Sequence, residues 1–199
     1  MLEIAPDAKR PDRLWCFDQK GRYTVINAVN GRIESEWKAV NLSENNADDE
    51  VEVNLSTSKE HLLIACRNYI YGYKMNSSSI DLDCIFTFDL SSVKVEDENG
   101  INLAIKSISI HPERSDLFGV LLQDSRVLVV QVSADHWKPE YKWIDKSEDL
   151  CDGMRWGPEE IDPITGEIGS KLVLLAKESK KLQLYTITGS TKIKEAPAK

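Results

Sequence analysis

Asp81 and Asp83, in the stretch SIDLDCIF, are the pair whose types and spacing come nearest to chemistry. Alternate residues of a strand point to one face, so two carboxylates one residue apart would stand side by side. Paired acids of this kind serve as general acid and base, or as part of a Ca²⁺ ligand set. The Gly and Glu of a calcium loop are absent around them, and solvated acids on a strand face are the simpler reading. The three histidines, His61, His111 and His136, show no H-x-x-x-H spacing, and His111 reads as structural. Cys16, Cys66, Cys84 and Cys151 include no C-x-x-C pair. Each lies in or beside an apolar run and is expected to be a buried, reduced thiol. No G-x-S-x-G, P-loop or G-x-G-x-x-G occurs. The sequence therefore predicts no catalytic, cofactor-binding or metal-binding residue, and no enzyme.

Aromatic residues carry a different chemistry. Trp15, Tyr69 and Trp156 fall inside apolar strand patterns and are expected in the core. Trp37, Trp137 and Trp143 fall outside them. The stretch HWKPEYKW, His136 to Trp143, interleaves Trp137 and Trp143 with Lys138 and Lys142 around a proline. Exposed Trp beside Lys or Arg is typical of residues that carry binding energy at protein interfaces. Trp37, Trp137, Lys138 and Trp143 are therefore the candidate partner-binding residues, against the plainer reading that they pack on neighbouring strands. The basic run KESKK, Lys177 to Lys181, lacks the stacking aromatics that single-stranded nucleic acid needs.

The composition agrees. A chain of 199 residues with 41% hydrophobic and 29% charged residues can bury a substantial core. Its net charge of −8 argues against nucleic acid or an anionic membrane as partner, because phosphate binding needs concentrated Lys and Arg. No run of 18 apolar residues is present, and the N-terminus lacks the basic start and apolar stretch of a signal peptide. The expected setting is cytosolic or nuclear rather than secreted, so the three N-x-S sequons at Asn41, Asn54 and Asn76 are chance matches.

The elements that must position these residues repeat. SISIHPERSDLFGVLLQDSRVLVVQV, from Ser107 to Val132, reads as a strand, a turn, an apolar strand, a polar turn and a third strand. The same order runs through LEIAPDAKRPDRLWCFDQKGRYTVINAV, EVNLSTSKEHLLIACRNYIYGYKM and DGMRWGPEEIDPITGEIGSKLVLLAKESKKLQLYTI. Gly, Asn, Asp and Ser fill the second turn, as hairpins require. The first strand ends on Pro6-Asp7, Pro112-Glu113 and Pro158-Glu159, with Thr57-Ser58 as the degenerate copy. Proline lacks a ladder donor, and an acid after it can accept turn amides. Pro6, Thr57, Pro112 and Pro158 stand 51, 55 and 46 residues apart. A fourth strand is expected at Ile33–Ala39, Cys84–Asp89, Tyr141–Ile144 and Lys192–Glu195.

Four-stranded units at this period describe an all-β chain of β-propeller blades, at about 1–42, 51–90, 104–146 and 151–196. A lone meander cannot bury both faces, whereas stacked sheets bury one another's. A β-sandwich with accidentally similar hairpins is the competing fold. Polar linkers, SENNADDEVE and SSVKVEDENG, separate the early units, and EEIDPITGEIGSK predicts a projecting hairpin in the last.

The unit resembles the WD40-like propeller repeat, with IHPE and WGPE standing where that family has an apolar residue and Pro-Asp. It departs from the family in lacking Trp-Asp at the third strands and Gly-His at the openings, so the side-chain network of those residues is missing. More narrowly, Ile108–Val132 looks like a blade of the N-terminal propeller of the nuclear-pore subunit on the cytoplasmic filaments. The MRWGP…KLVLLAKESKKLQLY and LWCFDQKGRYTV segments are compatible with it. That resemblance implies a seven-bladed scaffold, of which this chain would be a part. It also implies a DEAD-box RNA helicase as partner in messenger-RNA export. The expected function is a non-enzymatic protein–protein interaction scaffold, with no cofactor. The reading from a different class is a propeller enzyme, a hydrolase or lyase drawing on Asp81, Asp83 and Glu113. A ring closed by four blades, or completed by two chains, fits the sequence equally.

Overall fold

A computed structural model describes residues 3–7, 9–18, 22–35, 38–39, 54–58, 60–75, 82–93, 104–133, 139–144, 150–161, 166–176, 178–188 and 192–195. The chain divides into two compact units, Met1–Glu98 and Asn99–Lys199. Each unit holds two four-stranded sheets, all meandering in chain order with antiparallel neighbours.

In the first unit, one sheet comprises β1 (Glu3–Pro6), β2 (Arg13–Phe17), β3 (Arg22–Asn27) and β4 (Lys38–Ala39). The second comprises β5 (Asn54–Thr57), β6 (His61–Cys66), β7 (Tyr69–Met75) and β8 (Leu82–Asp89). Trp15, Phe17, Tyr23 and Val25 of the first sheet form one core with Leu62, Ile64, Tyr71, Tyr73 and Met75 of the second. The second unit repeats the plan. Its sheets are β9 (Ile105–Ile110), β10 (Leu117–Leu122), β11 (Val127–Val132) and β12 (Pro139–Ile144), then β13 (Gly153–Ile161), β14 (Ile168–Ala176), β15 (Lys181–Thr188) and β16 (Lys192–Glu195). Leu117, Leu121, Val127 and Val129 pack on Met154, Leu172, Leu174, Tyr185 and Ile187. Every residue of β10 is buried, which explains why this middle strand reads as a continuous apolar run rather than an alternating one.

The first strand ends as expected at Pro6 in the first sheet and at Thr57 in the second, and departs from the expected phase in the third and fourth. Pro6 is the last residue of β1, paired with Leu14, and the turn begins at Asp7. Asp7 Oδ1 accepts the Lys9 and Arg10 amides at 2.9 and 3.1 Å, while its own N–H donates to the Arg13 carbonyl. In the third sheet the residue in that role is His111, not Glu113. Its Nδ1 accepts the Glu113 and Arg114 amides at 3.2 and 3.0 Å, and its N–H donates to the Leu117 carbonyl. Glu113 is exposed, and its amide is one of the two that the ring accepts. Pro158 ends no strand: it lies within β13, where the register shifts between Trp156 and Glu159. Beyond that bulge β13 and β14 stay paired as far as Ile161 and Ile168, which forms the projecting hairpin. In the first sheet the fourth strand is shorter than expected, Lys38–Ala39, with Ile33 making a single bridge to Ile26. Residues between them are used by a tight loop, in which Asn27 Oδ1 accepts the Val29 and Asn30 amides and Gly31 takes a φ of 70°.

The first sheet builds a buried polar set of its own. Trp15 Nε1 donates to Asp7 Oδ2 at 3.4 Å, and the buried Arg13 guanidinium lies 3.6 Å from Asp7 and 2.9 Å from Glu34. Burying these charges together offsets the desolvation that either would suffer alone.

Candidate functional site

The sequence-predicted partner residues meet the described structure at one place, the outer strand of the third sheet. Trp37, Trp137 and Lys138 lie outside the described residues, and Trp143 lies on β12. Register with β11 sets Trp143 opposite Leu128 and Tyr141 opposite Val130, so the two aromatics share one face. Ile144, on the other face, is buried in the core with Leu117 and Val127 and anchors the strand. Trp143 and Tyr141 are half-buried.

The turn joining β10 to β11 supplies the rest. The Ser125 amide donates to the Leu122 carbonyl at 3.0 Å, Ser125 takes a left-handed φ of 69°, and the Leu122 amide donates to the Arg126 carbonyl at 2.9 Å. This is a type I turn closed by one left-handed residue, a common three-residue hairpin. It delivers Arg126 beside Asp124, with Arg126 Nε donating to Asp124 Oδ2 at 2.7 Å. The guanidinium carbon then stands 5.9 Å from the centroid of the Trp143 ring, a cation–π distance. Because the Asp124 carboxylate holds one edge of the guanidinium, its plane is fixed before any partner arrives. A planar cation and an indole so fixed lose little side-chain entropy on binding. Sequence reasoning singled out Trp143 and missed Arg126, since only the β11–β12 register brings residues 17 positions apart together.

Among the described residues the remaining candidates do not come together. Asp83 is exposed on β8, opposite Lys74 in the register, and Asp81 lies outside the described residues. His61 and His111 are buried, and His136 is not among the described residues. His111 lies edge-on to Trp156, ring centroids 5.1 Å apart, and Trp156 Nε1 donates to the Ser109 carbonyl at 2.8 Å. Both histidines have their pKa lowered by burial. Trp15 is buried and Trp156 packs on the core as expected, but Tyr69 is 42% exposed at the start of β7. Cys16 and Cys151 are buried, whereas Cys84 is exposed on the outer strand β8, against the expectation of four buried thiols. Burial raises the Cys16 and Cys66 thiol pKa values. Among the described residues no group of three His, Cys, Asp or Glu side chains is arranged to hold a metal ion. Among them, too, no helix is long and apolar enough to cross a membrane.

No family profile matches the chain, and no curated protein matches it by sequence. Solved structures do match it in three dimensions. Sqt1 of Saccharomyces cerevisiae superposes with a TM-score of 0.58 and 16% identity, over 100% of this chain and 45% of that one. The WD40 domain of SCAP from fission yeast gives 0.52 and 8%, over 99% and 42%. A Bacteroides uniformis protein assigned as a 6-phosphogluconolactonase gives 0.59 and 12%, over 98% and 54%. The chain spans about half the length of the first solved chains it matches. These similarities, together with the four meandering sheets, show an all-β fold of β-propeller type.

Proposed function

We propose that this β-propeller chain is a non-enzymatic protein–protein interaction scaffold, acting in the cytosol or nucleus, and that a protein partner docks on the outer edge of its third sheet. The observation that carries the reading is the Arg126 guanidinium held over the half-buried Trp143 ring by Asp124. Trp and Arg are the residues enriched where interfaces concentrate their energy, and the outer strand of a sheet is the part a large partner reaches without unfolding anything. Affinity capture from nuclear and cytosolic extracts, comparing the wild-type chain with Trp143→Ala and Arg126→Ala, tests it. The expected loss is on the order of tenfold or more for Trp143→Ala, with the melting transition of the chain retained. Partners retained at full strength by both variants would remove this edge from the reading.

The narrower form of this proposal sets the scaffold at the nuclear pore in messenger-RNA export, with a DEAD-box RNA helicase as the partner. Its support is the resemblance of Ile108–Val132 to a blade of a pore propeller. Titrating a purified helicase of that class against the chain decides it, and the absence of binding by either Trp143 form would leave only the broader scaffold.

A further inference from the structure

The outer strands of the four sheets differ in how well they could template another strand. β4 has two residues and β16 four, and β8 carries an extra residue at Ile85, where its register with β7 shifts between Gly72 and Tyr73. Short strands and bulges are the usual protection of a sheet edge. β12 has neither. Its six residues, Pro139–Ile144, pair with β11 in one unbroken register, and no described strand stands on its other side.

Backbone and side chains together say what fits there. The Val132 amide donates to the Asp116 carbonyl at 2.7 Å, which continues the β10–β11 ladder by one residue. Successive residues of a strand turn their backbone groups to opposite edges, so Val132, Val130 and Leu128 face β10. Their opposites on β12, Pro139, Tyr141 and Trp143, therefore turn theirs outward. Donors and acceptors at the spacing of such an edge are matched by another extended polypeptide. Of the side chains, Glu140 and Lys142 share one face and are exposed, while Tyr141 and Trp143 share the other and are half-buried.

A second, antiparallel copy of β12 has few ways to lie against the first. A two-fold axis normal to the sheet carries each face into the same face, so only registers that match like faces are open. Setting Glu140 opposite Glu140, or Lys142 opposite Lys142, places like charges directly across, which destabilises the pair. The register between these two sets Tyr141 opposite Tyr141 and puts Glu140 of each copy opposite Lys142 of the other. Trp143 then meets Pro139, an apolar ring against the indole, and its amide is placed to donate to the Pro139 carbonyl. The charge pattern of β12 thus selects one self-pairing register and rejects the registers on either side of it.

We propose that two copies of this chain pair edge to edge through β12, antiparallel about Tyr141, with Glu140 of each copy against Lys142 of the other. The proposal rests on the reading of this edge as a docking edge, and names a second copy as its occupant. The contact is isologous, so it closes at two copies. Pairing covers the strand that carries Trp143 and so competes with any other protein for that edge.

The test is light scattering during size-exclusion chromatography, from low micromolar to about 100 µM chain, at about 50 mM salt so that surface charges are little screened. The proteins are the wild type, Glu140→Lys, Lys142→Glu, the double variant carrying both changes, and an equal mixture of the two single variants. Both positions are exposed, and thermal melts check that each variant folds as the wild type does. The wild type is expected to rise in mass towards two copies. Each single variant is expected to associate about tenfold or more weakly, because both cross-strand pairs become like-charged. The double variant and the mixture are expected to recover the wild-type association, since every charge again faces its opposite. A wild type that stays monomeric over the whole range overturns the proposal, as does a single variant that associates as strongly as the wild type. A double variant or a mixture that stays as weak as the single variants overturns it too. Loss of captured partners in Trp143→Ala beside a monomeric wild type would remove the self-pairing and leave the docking edge standing. Capture unchanged in Trp143→Ala and Arg126→Ala, with the charge swaps behaving as expected, would do the reverse.

Discussion

Ser125 and His111 show how much of this fold hangs on single polar side chains. Ser125 pays the strain of a left-handed φ of 69° in a position where glycine is the usual residue, and its retention has a visible reason. Its buried Oγ accepts the Cys151 amide at 2.8 Å, pinning the chain where it enters the fourth sheet. Lys106 Nζ donates to the Cys151 carbonyl at 2.7 Å and secures the same residue from the other side. Ser125→Ala leaves a buried amide without its acceptor and is expected to lower stability by about 1–3 kcal/mol in urea denaturation. An unchanged midpoint would mean that water replaces the hydroxyl. His111 makes stability depend on pH. Its Nδ1 accepts two amides, so the neutral ring carries its proton on Nε2, and full burial lowers its pKa below the ordinary 6.5. The unfolded chain therefore takes up a proton near pH 6.5 that the folded chain refuses. Stability is complete above that pH and falls as the pH drops through 6.5 towards the folded value. His61, also lowered by burial, acts in the same sense. In His111→Asn an amide oxygen can accept the same two N–H groups without titrating, so the loss of urea midpoint between pH 7.5 and 5 is expected to be shallower than in the wild type. An equal slope would exclude His111 as a source of the acid sensitivity.

At the scale of the element, two strand glycines look alike in sequence and differ in tolerance. A Cβ at Gly72 would stand 2.1 Å from the ring of Phe86 on the neighbouring strand, while one at Gly119 would stand 2.7 Å from the sulfur of Met154. A ring packed flat on the backbone must move as a body, whereas a methionine end can swing aside. Gly72→Ala is therefore expected to destabilise by about 1–3 kcal/mol, more than Gly119→Ala. Adding Phe86→Leu should recover part of that loss in the double variant. Equal costs for the two glycines in thermal melts would contradict this packing. The middle strands were the most legible elements, because burial on both faces writes an unbroken apolar run, as in Leu117–Leu122. The end of the first strand was misphased in the third and fourth sheets, because prolines were used to align it. The physical marker is the acceptor of the turn amides, which is a carboxylate at Asp7 and an imidazole at His111, two residue types with no resemblance as letters. Pro158 misled for a related reason: a bulge suspends the ladder there, so a missing N–H costs nothing inside the strand.

For the whole molecule, repetition in the sequence was enough to find the four sheets. What the sequence left out is contact across register. Trp143 stood out as a candidate, but Arg126 and Asp124 join it only through the β10–β11 turn and the β11–β12 pairing. Likewise the core of each unit depends on which of two apolar faces meets the neighbouring sheet, a choice that a continuous run such as LFGVLL does not encode. The account rests on each repeat being one four-stranded sheet whose second and third strands are enclosed. Amide hydrogen exchange of the intact chain, resolved by peptide, tests this most directly. Slowest exchange is expected in β6 and β7, β10 and β11, and β14 and β15, with faster exchange in the outer strands β8 and β12. Rapid exchange in the middle strands, with the slowest amides in outer strands instead, would contradict the fold and the interfaces built on it.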